Sequence, residues 1–451
     1  MLPNGWAVET LGIACSLLTD GTHHSPSNSS SGDFPYITAK NIKWHGFELD
    51  DMTYVSKDEH EDIYRRCPVE TGDVLLIKDG ATTGVATINT LDEPFSMLSS
   101  VALLRPIADL LNNRFLWHWL RSGEAQGSLL GAMSGSAIRR LTLTTIGRTS
   151  LPIAPIVEQR RIVERLDALT VRVARARAEL DRVPVLAEHL RRSSLNAAFR
   201  GDLSADHRQD ELGQLRQTQP KLDDQERGIW LTKSVPASWR WVEIEDFFED
   251  LTDSKRKLPE KEYDRSGPYP VIDQGKRQIG GYTHRQDLLH PATARVVVFG
   301  DHTRCVKLVE PPFVQGADGV KVLAAAEGVD VQYARFALLA VEIPAKGYSR
   351  HMKFVRKTVW PLPSLTEQAI IVERLDGAFA RANRLEAEAA RARTLLDRLE
   401  AAILAKAFRG ELVPQDPSDE PASVLLDRIR ARRAEAPKHK RGRRAAVGSA
   451  A

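Results

Sequence analysis

Three stretches carry residue types that could do covalent chemistry, and each lacks a partner the chemistry requires. Glu310-Pro311-Pro312-Phe313 comes close to the Asp/Asn-Pro-Pro-Tyr/Phe run that holds the amino group of a flipped adenine. Glutamate stands in the wrong first place, and no Phe-x-Gly-x-Gly cofactor loop accompanies it, so the stretch reads as a turn. Gly80-Ala81-Thr82-Thr83-Gly84 has the glycines of a phosphate-cradling loop but no lysine to meet the phosphate. Asp273 and Lys276 suggest a nuclease carboxylate–lysine pair, but a second acidic ligand at the right spacing is missing. These residues predict no catalytic site and no metal ligands.

Binding chemistry is better represented. Arg, Lys, Asn and Gln match the donor and acceptor edges of bases in a major groove, and Lys, Arg and hydroxyls hold phosphates. Lys40, Asn41 and Lys43 form one such set, and Ser134, Ser136, Arg139 and Arg140 a second, on polar, glycine-containing stretches. Further along, Gln274, Lys276 and Arg277 form a third set and His302, Thr303 and Arg304 a fourth. Lys346, Tyr348, Ser349 and Arg350 make the fifth. Any one of these residues alone reads equally well as part of a solvated loop; as sets, in corresponding parts of two regions, they point to DNA. The basic run from Lys438 to Arg444 reads as a solvated tail that could add non-specific phosphate contacts.

The elements that must position these loops are set by a repeat. Glu158-Gln159-Arg160-Arg161-Ile162-Val163-Glu164-Arg165-Leu166-Asp167 returns 209 residues later as Glu367-Gln368-Ala369-Ile370-Ile371-Val372-Glu373-Arg374-Leu375-Asp376. Phe199-Arg200-Gly201 returns as Phe408-Arg409-Gly410 at the same offset. Between these marks, apolar or small residues step by four and three through Ile162, Leu166, Leu169, Val173, Ala176, Leu180, Val183, Ala187 and Leu190. The second copy runs through Ile371, Leu375, Ala378, Ala382, Leu385, Ala389, Ala392, Leu396 and Leu399. That alternation is a heptad seam, and it predicts two long helices packed on each other as a coiled coil. Large residues in one seam, such as Leu169 and Val173, are expected to face small ones, such as Ala378 and Ala382, in the other. Pro184 is expected to kink or break the first helix.

Each helix follows a β-patterned region that opens with Pro-x-x-Trp, at Pro3/Trp6 and Pro236/Trp239. The two interiors align poorly, which suggests one task with two specificities. At 451 residues the chain has room for several cores. Its formal net charge of +3 neither demands nor excludes nucleic acid. Cys15, Cys67 and Cys305 are scattered, which fits a reducing cytoplasm and argues against a zinc site or disulfide framework. The apolar run near Leu11 to Leu18 is too short to span a bilayer.

On these marks the chain resembles the specificity subunit of type I restriction–modification systems. Pro35-Tyr36-Ile37 with Asn41-Ile42, Gly72-Asp73-Val74-Leu75-Leu76, Gly280-Gly281-Tyr282 and Phe299-Gly300-Asp301-His302-Thr303-Arg304 add to the likeness. The resemblance implies an α+β, pseudo-twofold architecture. Two β-rich target-recognition domains are separated by two long conserved helices forming an antiparallel coiled coil. Expected boundaries are recognition domain 1 at 1–154, spacer helix 1 at 155–203, a polar linker at 204–233 and recognition domain 2 at 234–363. Spacer helix 2 follows at 364–412, then a C-terminal helix and basic tail at 413–451. Each domain would read one half of a bipartite, asymmetric site on double-stranded DNA. DNA adenine methyltransferase subunits would dock on the helices, with restriction/translocase subunits reached through them. The docking marks would be Glu158, Gln159, Glu367, Gln368, Phe199 and Phe408. The chain itself would bind no cofactor, S-adenosylmethionine, ATP and Mg belonging to the partners.

Two other readings stay open. A specificity subunit serving a Type IIB-like fused nuclease–methylase would share the architecture, and a coiled-coil scaffold for proteins would keep the repeat without needing dissimilar polar loops. From Ile162 to Phe199 a continuous helix would run about 57 Å at ~1.5 Å per residue. At ~3.4 Å per base pair that corresponds to roughly 17 base pairs, an upper limit on the separation of the two domain centres.

Overall fold

The computed structural model describes residues 2–131, 140–208, 215–216, 229–230, 235–344 and 350–435. The chain divides into two compact units, one of Met1–Glu179 with Ala392–Ala451, the other of Leu180–Arg391.

The first unit is built on a four-stranded antiparallel sheet in the order Cys15–Asp20, Val101–Pro106, Val74–Ile77, Ala86–Ile88. Strands covered on one face alternate apolar and polar residues, whereas Val74-Leu75-Leu76-Ile77 is apolar throughout. The reason is visible in the packing. Val74, Leu76, Ala102 and Leu104 enter the larger core with Trp6, Phe115 and Trp119, while Leu75, Ile77, Val101 and Leu103 enter a second core with Ile37, Phe95 and Met97. Beside it, Phe34–Ile37 lies between Thr53–Val55 (antiparallel) and Ser96–Met97 (parallel).

The second unit repeats this plan. Its sheet runs Phe248–Asp250, Val320–Ala325, Val296–Gly300, Val306–Val309, again with alternate side chains in two cores. Tyr269–Ile272 pairs antiparallel with Gly281–Thr283 and parallel with Val314–Gly316. Sequences that align poorly have therefore folded to one topology. In each unit the opening strand pairs antiparallel with the strand before the long helix: Ala7–Thr10 with Ser150–Ile153, and Arg240–Val242 with Trp360–Leu362.

The long helices are Ile156–Phe199 and Leu365–Phe408, 44 residues each. Their pairing is antiparallel. In the first unit Arg177 bonds Asp397 (2.8 Å) and Glu400 (3.1 Å). In the second, Arg191 bonds Asn383 (2.7 Å) and Glu386 (2.5 Å), so fourteen residues up one helix is fourteen residues down the other. That register corrects the expected facing of Leu169 with Ala378 and of Val173 with Ala382: those pairs are related by the repeat, not by contact. Most seam residues are buried or half-buried, but Ala176, Leu385 and Leu399 are exposed. In the antiparallel register Leu385 and Leu399 come level with Arg191 and Ala176–Arg177, and an alanine or an ion-paired arginine gives a leucine little cover. Pro184 does not break the first helix, which is continuous through it. Its ring lies on an exposed position outside the seam, so the loss is confined to the backbone bond a proline cannot donate.

Each helix ends in a turn that meets the opening of the other repeat. Gly410 has φ +72°, and a Cβ there would collide with Pro3 Cγ; Gly201, at φ +80°, meets Pro236 in the same way. The helix Ala422–Glu435 then adds Ala422, Leu426 and Ile429 to the first core. Its approach is fixed by Arg161–Asp419 (2.5 Å) and Arg430–Glu9 (2.6 Å). No helix among the described residues is long and apolar enough to cross a membrane.

Gly410→Ala should destabilise the protein by about 1–3 kcal/mol, combining strain at positive φ with the collision. Adding Pro3→Ala should recover the steric part, giving a double variant more stable than the sum of the single changes. Strictly additive losses in thermal unfolding would show that this contact does not form.

Candidate nucleic-acid interface

The repeated Glu-Gln marks are buried inside the chain, and this corrects their reading as docking residues. Gln159 accepts the Asn112 N–H (2.8 Å) and donates to the Leu110 (2.8 Å) and Ala154 (2.9 Å) carbonyls. Gln368 does the same with Asp330 N–H (2.7 Å), Gly328 O (2.9 Å) and Pro363 O (3.0 Å). Asn112 and Asp330 in turn cap the helices Asn113–Leu120 and Val331–Ala340. Glu158 accepts from Trp6 Nε1 (3.0 Å), which ties the mark to the opening Pro-x-x-Trp; burial pushes its carboxyl up, against the Trp6 bond and the nearby Arg161 charge. Glu367 is held by Ser204 (2.6 Å) and Arg208. Phe199 and Phe408 are core residues, beside Tyr333 and Phe115 respectively. What the long helices do expose is a different apolar set: Val157, Val171, Val185 and Leu186 on the first, Leu365, Leu385, Leu395 and Leu399 on the second.

In the second unit the sequence-chosen loops are joined to one another. Gln274 accepts the His302 N–H at its side chain (3.2 Å) and the Thr303 hydroxyl at its carbonyl (2.5 Å). Asp301 accepts the His351 N–H at its carbonyl (2.8 Å) and the Met352 N–H at its carboxylate (2.6 Å). Arg304, at φ +60°, donates to Ile343 O (2.9 Å). The loop after Tyr269–Ile272 has a buried anchor that sequence reasoning missed. Lys307 Nζ bonds the Asp273 carbonyl (2.7 Å) and carboxylate (3.1 Å), and that carboxylate also accepts Gly275 N–H (2.9 Å). Asp273 is thereby a loop anchor and not half of a pair with Lys276. A lysine inside an apolar strand pattern, Val306-Lys307-Leu308-Val309, was the available signal, because a buried cation requires a partner.

Lys276 and Arg277 lie at the exposed tip of that loop, and neither they nor exposed Arg350 has a hydrogen-bond or ion-pair partner among the described residues. Some other surface arginines of the unit are neutralised locally, as in Arg285–Asp287 (2.7 Å) and Arg356–Asp250 (3.0 Å), whereas exposed Arg240, Arg265 and Arg295 have no ion-pair partner among the described residues. The linked loops thus carry part of the unit's unneutralised charge.

In the first unit, Lys40 is exposed, and the loop that carries it follows Phe34–Ile37 as the 273–278 loop follows Tyr269–Ile272. Asn41 is buried: it accepts from Thr38 N–H (3.0 Å) and donates to Glu48 O (3.0 Å), so it shapes the loop from within and is not exposed for the base contact expected of it. Lys43 is paired with Glu48 (3.2 Å). Arg140 is exposed and bridges to Asp79 through the backbone. Ser134, Ser136, Arg139, Lys346, Tyr348 and Ser349 lie outside the described residues, as does the basic run from Lys438 to Arg444. Glu310-Pro311-Pro312-Phe313 joins two strands, with Phe313 stacked on His290 in the core. No metal-holding group of His, Cys, Asp and Glu occurs among the described residues.

Residues 3–182 match the family model of the type I restriction modification DNA specificity domain. The chain is 24% identical over 472 residues to the type I restriction enzyme EcoKI specificity subunit of Escherichia coli K12, with 96% of each chain covered. It is 24% identical over 471 residues to the StySPI specificity subunit of Salmonella potsdam, at the same coverage. Among solved structures, the HsdS subunit of Thermoanaerobacter tengcongensis superposes with TM-score 0.53 at 20% identity, covering 91% of this chain and 98% of that one. A chain from a study of complex assembly and conformational transition of the type I R-M system gives 0.65 at 21% identity, covering 91% and 100%. At such identities the structural likeness speaks for the fold, and the fold it speaks for is the one described above. The domain match and the near full-length relatives agree with the repeat, the paired helices and the duplicated sheets: over residues 3–182 the chain matches the type I restriction modification DNA specificity domain, and over nearly its whole length it is similar to type I restriction enzyme specificity subunits.

Proposed function

We propose that this chain is the DNA-reading subunit of a type I restriction–modification complex, each unit reading one half of a bipartite site whose halves differ. The observation that carries it is the joining of three polar loops in the second unit, through Gln274 with His302 and Thr303 and through Asp301 with His351 and Met352. Lys276, Arg277 and Arg350 are left unneutralised on those loops. Unpaired cations on loops held from beneath suit phosphate and base-edge contact, because the geometry exists before DNA arrives. Two copies of one topology with dissimilar loops support two dissimilar half-sites. The chain itself carries recognition; methyl transfer, and the S-adenosylmethionine, ATP and Mg it and translocation need, belong to methyltransferase and restriction/translocase subunits. Those partners dock, on this reading, against the exposed apolar residues of the long helices, not against the buried Glu-Gln and Phe-Arg-Gly marks.

Replacing Lys276 and Arg277 with alanine should weaken binding to the cognate duplex and reduce the salt slope of log K by up to about 2, since each phosphate contact contributes ~0.9. Assembly with methyltransferase subunits should be unaffected. Unchanged affinity at two salt concentrations would remove this loop from the interface.

The docking reading predicts that Leu395→Glu with Leu399→Glu abolishes co-purification of methyltransferase subunits while the fold survives, both positions being more than half or about half exposed (62% and 50%). Normal assembly of that variant would place the partner elsewhere.

Helices of 44 residues run about 66 Å at ~1.5 Å per residue. We propose that their length sets the unspecified gap between the half-sites. Adding one heptad to both helices, which keeps the antiparallel seam in register, should widen the gap in the methylome without altering either specified block. A variant that still methylates and reads the original gap would end the ruler reading.

A further inference from the structure

Backbone bonds establish a residue-by-residue equivalence between the two main sheets that the sequence does not show. Lys78 N–H donates to Ser100 O (2.9 Å) as Asp301 N–H does to Gly319 O (2.6 Å). Ile77 N–H donates to Val85 O (2.8 Å) as Gly300 N–H does to Cys305 O (2.8 Å). Leu141 N–H donates to Lys78 O (2.7 Å) as His351 N–H does to Asp301 O (2.8 Å). Residues 79–84 of the first unit therefore stand where residues 302–304 stand in the second, in a loop three residues longer, and Arg140 stands where Arg350 does.

The longer loop is held at its base and open at its tip. Gln126 Nε2 donates to Gly84 O (3.0 Å) and Leu120 O (2.6 Å), and a side chain at Gly84 would run into Gln126. On the other side Lys78 is buried against Asp20 (3.3 Å). Thr83 closes the turn by donating its hydroxyl to Gly80 O (2.7 Å). Gly80, Ala81 and Thr82 are exposed, Gly80 is at φ +93° with open space around it, and the Thr82 hydroxyl has no partner among the described residues.

We infer that this hairpin tip, residues 80–82, is a further DNA-contacting loop of the first unit, and that it contacts base edges through neutral groups. The inference rests on the reading of the equivalent 302–304 loop as part of a DNA interface. The tip has no cation, so it adds nothing to counterion release; its methyl groups and hydroxyl suit a thymine methyl and a base-edge acceptor. Its contribution is to sequence choice, with the charge supplied next door by Arg140.

The test uses the full chain assembled with its methyltransferase subunits and a duplex carrying the motif mapped in methylated genomic DNA. Ala81→Glu should weaken binding about tenfold or more, as a carboxylate placed against DNA is repelled. Thr82→Lys should steepen the salt slope by about 0.9 and reduce discrimination at bases of one half-site only. Lys276→Ala serves as the reference. If both hairpin variants bind as wild type while Lys276→Ala weakens binding, the hairpin assignment is overturned and the reading of the second unit stands. If all three bind as wild type, both are overturned.

Discussion

The structure depends on one buried side chain in each repeat, the glutamine at 159 and 368. It is fully enclosed, and its amide is bonded to three backbone groups: the carbonyl just before the long helix, and a carbonyl and an N–H at the capped start of a recognition-domain helix. Leaving those buried groups unpaired would cost more than any surface contact could return. Only an amide of this length offers an acceptor and two donors together, so neither Glu nor Asn could replace it. Once it is in place, the direction of the long helix relative to its own recognition domain is fixed. Asp167 repeats the point one helical stretch further on, bonding Arg114 (2.7 Å) and His118 (2.8 Å), as Asp376 bonds Gln332 (2.8 Å).

The equal spacing of the sequence marks follows from that anchor. A helix that starts at the glutamine and closes at the Phe-Arg-Gly turn must reach the opening proline of the other repeat, where glycine at positive φ is the residue that fits. The ion pairs at Arg177 and Arg191, two heptads apart and matched two heptads down the partner, hold the same register.

Much of this was legible. Helix positions and the duplicated frame come from periodicity and identity, which local physics enforces, while the antiparallel sense of the pairing came only from the resemblance. The polar loops of the second unit were legible as a set of cations and amides, and the structure joins them through Gln274 and Asp301. Misread were the repeated marks themselves: identity between two copies signals a shared constraint, and for Glu158, Gln159, Phe199 and their counterparts that constraint is burial, which repetition cannot distinguish from docking. Also hidden was the 79–84 hairpin, whose Gly, Ala and Thr residues carry no charge pattern and whose place emerges only from strand register.

The two units also solve one positioning task with different chemistry. In the first, the loop after Phe34–Ile37 is shaped by a neutral amide, Asn41, bonded to Thr38 and Glu48. In the second, the corresponding loop is shaped by an ion pair, Lys307 with Asp273, in which the lysine is 5% exposed and bonded to both the carbonyl and the carboxylate. A buried ion pair holds its loop firmly only while both charges are present, since removing one leaves the other desolvated and alone. A neutral amide has no such all-or-none character. The 273–278 loop of the second unit is therefore more sharply tied to a single residue beneath it than the corresponding loop of the first. Its dependence begins at a buried strand position, Lys307, bonded to Asp273 at the base of the loop.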